Sequence, residues 1–100
     1  MTEKLTVEVD ADLAELIPLF LQTRQNDLAG LEKNLASGDF DELRVIGHGM
    51  KGSGSSFGFH GVTTMGSLIE AAALVQDAST VKAQTLALRD YLNRLNIKYV

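Results

Sequence analysis

His48 and Lys51 sit in the run Val45-Ile46-Gly47-His48-Gly49-Met50-Lys51-Gly52-Ser53-Gly54-Ser55-Ser56-Phe57-Gly58. A neutral imidazole is a nucleophile at physiological pH. On a helix, side chains three residues apart occupy neighbouring ridges, so the lysine stands beside the ring. The glycines on either side strip away steric cover. That combination suits a histidine reached by something large.

Other chemistries fit the run poorly. Gly47-His48-Gly49-Met50-Lys51-Gly52 matches the dinucleotide fingerprint G-x-G-x-x-G, but that motif works between a strand and a helix in a βαβ unit. Here Asp39 to Ile46 precede it as a capped amphipathic helix. A phosphate-binding P-loop fails because Met50 precedes Lys51 and Gly52-Ser53 follow it. His48 and His60 are twelve residues apart, with no carboxylates at ligand spacing on one face, so no metal site is expected. A hydrolytic triad needs an acid to orient the base, and the sequence shows none near His48.

The direction in which His48 points follows from helical periodicity. At roughly 100° per residue, Leu43, Ile46, Met50 and Phe57 fall within about 60° of one another. His48 lies roughly 170° from the centre of that stripe, and Arg44, Lys51 and Ser55 share its face. With the stripe turned inward, the imidazole faces water. Read as one helix, the segment also carries Gly47, Gly49, Gly52, Gly54 and Gly58. Each costs about 0.8–1.0 kcal/mol against alanine in a helix interior. Close packing near the apolar side can repay Gly54, whereas Gly49 and Gly52 lie away from the stripe and leave the flank of the ring open.

The elements that must hold this face are helical. A chain of 100 residues, 45% hydrophobic and 22% charged, is one domain with an ordinary globular core. The absence of cysteine removes disulfides and thiolate chemistry. The net charge of -4 offers no basic stripe for nucleic acid, and no apolar run approaches a membrane span. No signal peptide is apparent at the start, so a soluble cytoplasmic protein is expected.

Residues 1–9 read as an extended arm, since Thr6-Val7-Glu8-Val9 alternates like a strand without an evident partner. Asp10 or Asp12 can cap a helix through Leu13, Leu16 and Ile17. Pro18 either opens a second helix or kinks a continuous one. Leu21, Leu28, Leu31 and Leu35 carry that helix to Ser37, with Gly38 as its stop. Asp39 caps the helix of His48, and Phe59-His60-Gly61 breaks it. Val62, Met65, Ile69, Ala72 and Gln76 mark the next helix. Ser79 is the expected cap of a last helix, through Val81, Leu88, Leu92 and Leu95, to the C-terminus. Connections this short make sequential helices antiparallel neighbours. The expected fold is all-α: an antiparallel up-and-down four-helix bundle with a short N-terminal arm.

His48, Lys51, Gly52, Ser53 and Gly58, with Met50 at a position usually aliphatic and Phe57 at another, resemble the signature of histidine phosphotransfer domains of bacterial-type phosphorelays. The resemblance extends over Leu19-Phe20-Leu21, Leu28, Leu31, Leu35, Gly38-Asp39-Phe40 and Leu68-Ile69-Glu70. Gly49 and Gly54 depart from the family's more usual small polar residues or alanine. The resemblance implies that His48 accepts a phosphoryl group on its outer ring nitrogen and passes it on. It assigns Lys51 to offset the phosphoryl charge, with Arg44 adding to it, and Gly52 to steric access, with Gly49 and Ser55 in support. Response-regulator receiver domains or a hybrid sensor histidine kinase are the implied partners. Magnesium would sit on the receiver, with no cofactor or metal in this chain. Neither nucleic acid nor membrane is expected as a partner, and the carrier is expected to be a monomer without kinase activity of its own. The competing reading is a binding module that docks a signalling partner through its glycine-lined face, His48 being incidental. Arg24, Gln25 and Asp27 are taken as solvent-facing residues able to set partner choice, and His60 as a helix-end residue.

Overall fold

The computed structural model describes residues 3–100, so the first two residues of the expected arm lie outside the described residues. Four helices dominate it: α1 (Ile17–Ser37), α2 (Phe40–Ser53), α3 (His60–Leu74) and α4 (Ala78–Arg94). Each packs against the next and α4 closes back onto α1, giving the expected four-helix bundle. The closest approach of successive helices is between α2 and α3. No helix among the described residues is long and apolar enough to cross a membrane.

Helix boundaries follow local chemistry. Asp10 accepts a hydrogen bond from the Asp12 amide at 2.9 Å, capping a short 3-10 segment, Ala11–Leu16. Pro18 then lies in the first turn of α1, where its missing N–H is not needed, and α1 runs on without a break at that residue. Gly38 ends α1 in the left-handed conformation at φ 70. Asp39 caps α2 by accepting from the Glu42 amide at 3.1 Å. Asp77, not Ser79, caps α4: its carboxylate accepts from the Thr80 amide and hydroxyl, and Ser79 is already inside the helix. Gln76 lies beyond the end of α3, at φ 56.

Two expectations about the ends are corrected. The N-terminal arm is not unpartnered: β1 (Leu5–Val9) pairs in parallel with β2 (Leu95–Tyr99), Leu5 opposite Leu95 and Val9 opposite Tyr99. The last helix therefore stops at Arg94 and the chain continues as a strand. The whole bundle is the crossover that a parallel pair requires. Val9 is 1% exposed and Val7, Leu95 and Ile97 pack against the core, which alternation predicts for a half-buried strand.

The core is built from Ile17, Phe20, Leu31, Leu43, Met50, Phe59, Val62, Ile69, Val81 and Leu88. Leu43 and Met50 are fully buried in the core, and Ile46 and Phe57 pack against it. The apolar stripe of α2 thus faces inward. The segment 40–58 is not one helix, however. It stops at Ser53, Gly54 caps it, Ser55–Phe57 form a 3-10 turn, and Gly58 takes φ 90 to turn the chain into α3. Only Gly47, Gly49 and Gly52 lie within α2, so the penalty expected for glycines in a helix interior is about three-fifths of that for an unbroken helix.

Candidate functional site

His48 leaves α2 on the side away from the core, with 73% of its side chain exposed. Lys51, one turn on, is 49% exposed and lies in the last turn, where a cation suits the helix dipole. Gly49 and Gly52 border them, and a Cβ built at either would meet nothing within 4 Å. No packing contact requires those glycines. The space beside them is open.

Gly47 has a different purpose. A Cβ there would lie 2.7 Å from the Glu70 backbone nitrogen and 2.9 Å from the Gly66 carbonyl oxygen. A Cβ at Gly66 would equally strike the Gly47 carbonyl, at 2.7 Å. The two glycines let α2 and α3 approach backbone to backbone. That approach brings Glu70 of α3 to the exposed face of α2.

Glu70 is the residue that local sequence reasoning missed. Its Oε2 lies 2.7 Å from His48 Nδ1, and its Oε1 accepts from Lys51 Nζ at 3.2 Å. The expectation that no acid stands beside His48 is therefore overturned. Hydrogen bonds from His48 first, and then Lys51, hold the Glu70 carboxyl below the usual carboxylate range. An ionised carboxylate only accepts, so Nδ1 must carry the proton of the neutral ring. Nε2 is left with its lone pair, on a ring that is mostly in solvent. The carboxylate is 22 residues from the histidine, beyond any spacing rule within one helix.

The remaining sequence-derived residues divide. Arg44 is half-buried on α2, one turn before His48, and makes no ion pair among the described residues. Ser55 lies past the end of α2, and its amide and hydroxyl both bond the Thr63 hydroxyl, at 2.8 and 3.0 Å. It belongs to the turn into α3, since the helix whose face it was to share has already ended. His60 opens α3, its Nδ1 3.4 Å from the Ser55 hydroxyl. Arg24 is 4% exposed, which corrects its place among solvent-facing residues: it lies against Phe20 and bonds Asp27 and Ser53. The Gly47–Gly52 run lies inside a helix preceded by another helix, so the strand-to-helix turn of a dinucleotide site is absent there.

An imidazole held by a carboxylate on the open face of a four-helix bundle defines a class of helical histidine domain. The family model for the Hpt domain matches residues 15–97, and the chain belongs to that family. Its general role is histidine phosphotransfer in phosphorelay signalling, with the receiver or kinase proteins of such relays as partners. No curated protein and no solved structure matches the chain.

Proposed function

We propose that His48 carries the phosphoryl group on Nε2, taking it from the aspartyl phosphate of a receiver domain, or from a kinase, and passing it to another receiver's aspartate. The Nε2 lone pair forms the N–P bond while the P–O bond to the aspartyl carboxylate breaks and that carboxylate leaves with the electron pair. The reverse sequence charges the next aspartate. As the N–P bond forms, the ring becomes an imidazolium that keeps its Nδ1 proton. Glu70, already ionised against that proton, balances the new positive charge. Lys51 offsets the charge on the transferring group, as Arg44 does from one turn away. Gly49 and Gly52 admit the partner's loops. Transfer of this kind depends on in-line placement and charge stabilisation, and the magnesium belongs to the receiver.

The observation that carries this reading is the 2.7 Å contact between His48 Nδ1 and Glu70, with the ring otherwise exposed. A ring so held has one nitrogen assigned and the other free. The same reading makes the domain a monomeric carrier in the cytoplasm, without a nucleotide site of its own. Its test is incubation with a phosphorylated receiver, followed by assay for an acid-labile, base-stable phosphate. Wild type is labelled and His48→Gln is not, with helical circular dichroism unchanged. Labelling that survives in His48→Gln contradicts the proposal and leaves the face as a docking surface without chemistry.

A further inference from the structure

We infer that Arg24 is a positioning residue for the transfer, acting from α1 through Ser53 on the glycine-weakened end of α2; the inference rests on the phosphotransfer reading of His48. Arg24 is a buried cation, its guanidinium carbon 4.7 Å from the centre of the Phe20 ring. Its Nε donates to Asp27 Oδ2 at 2.8 Å and its Nη1 donates to Ser53 Oγ at 2.7 Å. Ser53 Oγ in turn donates to the Gly49 carbonyl at 2.9 Å. A chain of hydrogen bonds therefore runs from the middle of α1 to the Gly49–Met50 peptide, one residue beyond His48.

That peptide needs an external hold. Glycine has more backbone freedom than any other residue, and Gly49 and Gly52 have no side chains to lock against neighbours. From the α3 side, the Thr63 hydroxyl donates to the Lys51 carbonyl at 3.2 Å. From the α1 side the hold is Arg24. A buried ion pair is a poor choice for stability alone, since well-packed apolar residues do as well or better. A guanidinium at this place supplies what they cannot, a directed donor aimed at the last residue of α2. Asp27 keeps the fork oriented, and its own carboxyl is raised because burial outweighs the pull of Arg24.

The test compares Ser53→Ala, which keeps the Arg24–Asp27 pair, with Ser53→Thr, which keeps the hydroxyl, and with Arg24→Met. Two quantities are read: amide exchange at residues 49–54 relative to α4, and single-turnover transfer against receiver concentration. In Ser53→Ala, exchange at 49–54 rises roughly tenfold and the saturating transfer rate falls by a similar factor, the ratio carried by one charge-assisted hydrogen bond. The half-saturating receiver concentration stays put. Ser53→Thr restores both quantities, and Arg24→Met behaves as Ser53→Ala, with a lower melting temperature. A labelled wild type with a Ser53→Ala variant unchanged in exchange or in saturating rate overturns this role alone. An unlabelled wild type overturns the phosphotransfer reading, and this role with it.

Discussion

Glu70 Oε2 lies 2.7 Å from His48 Nδ1, so a carboxylate on α3 decides which nitrogen of an α2 imidazole is free. The relationship depends on helix approach as much as on the two side chains. Gly47 and Gly66 set the separation of the helices, and their exposed faces then bring acid, base and lysine together.

Glu70→Ala removes the acceptor that holds the proton on Nδ1. The ring is then free to place its proton on Nε2, where it blocks attack. Single-turnover transfer is expected to fall about tenfold or more, with the bundle still folded by circular dichroism. A wild-type rate in Glu70→Ala removes the orienting role.

Lys51→Ala slows transfer by about tenfold and leaves the fold intact, because the side chain is half-exposed and neutralises charge from the surface. The variant also releases part of the hold on Glu70, whose carboxyl then titrates closer to its ordinary range. Equal rates in variant and wild type dismiss the lysine from the exchange.

The glycines separate by sign. Gly52→Ala adds a methyl to open space and replaces a poor helix former, so it stabilises the domain by up to about 1 kcal/mol. The same methyl crowds the approach to His48 and lowers the transfer rate. Gly47→Ala or Gly66→Ala drives a Cβ into backbone of the facing helix and destabilises by about 1–3 kcal/mol. Denaturant melts of the three variants check the signs directly; a destabilised Gly52→Ala contradicts the account of that glycine.

The pH dependence follows from Glu70. Its carboxyl titrates below the ordinary range in the folded state, so the folded protein binds that proton less tightly than the unfolded chain. The contribution is fully present above the unfolded carboxylate range and disappears as pH falls through the lowered folded value. Melting temperature should therefore decline on acidification across that window, less steeply in Glu70→Gln. Identical slopes in the two proteins refute the linkage.

Periodicity made the core face of α2 legible, because Leu43, Ile46, Met50 and Phe57 share a stripe whatever the tertiary context. The end of that helix was less so: Gly54 and Gly58 are compatible with a helix by spacing, but the helix stops at Ser53, a 3-10 turn follows, and Gly58 takes a left-handed φ. Beta strand β2 was hidden by overlap. Leu95 continues the helical stripe of Leu88 and Leu92, yet Leu95-Asn96-Ile97-Lys98-Tyr99 also alternates with a period of two. Its partner was the N-terminal arm, at the other end of the chain. Arg24 looked exposed because it is charged, although it stands four residues from Phe20 and Leu28 on the ridge that carries Leu31 and Leu35. Glu70 was visible only through resemblance, since nothing within one helix can report a contact made across two.

Nε2 of His48 is the atom proposed to take the phosphate. The most direct test is nitrogen and phosphorus NMR of the protein after charging by a phosphorylated receiver. The expected spectrum has a single phosphohistidine at His48, phosphorus coupled to Nε2, with Nδ1 still protonated and shielded from exchange by Glu70. Phosphorus on Nδ1, or on any residue other than His48, contradicts the account.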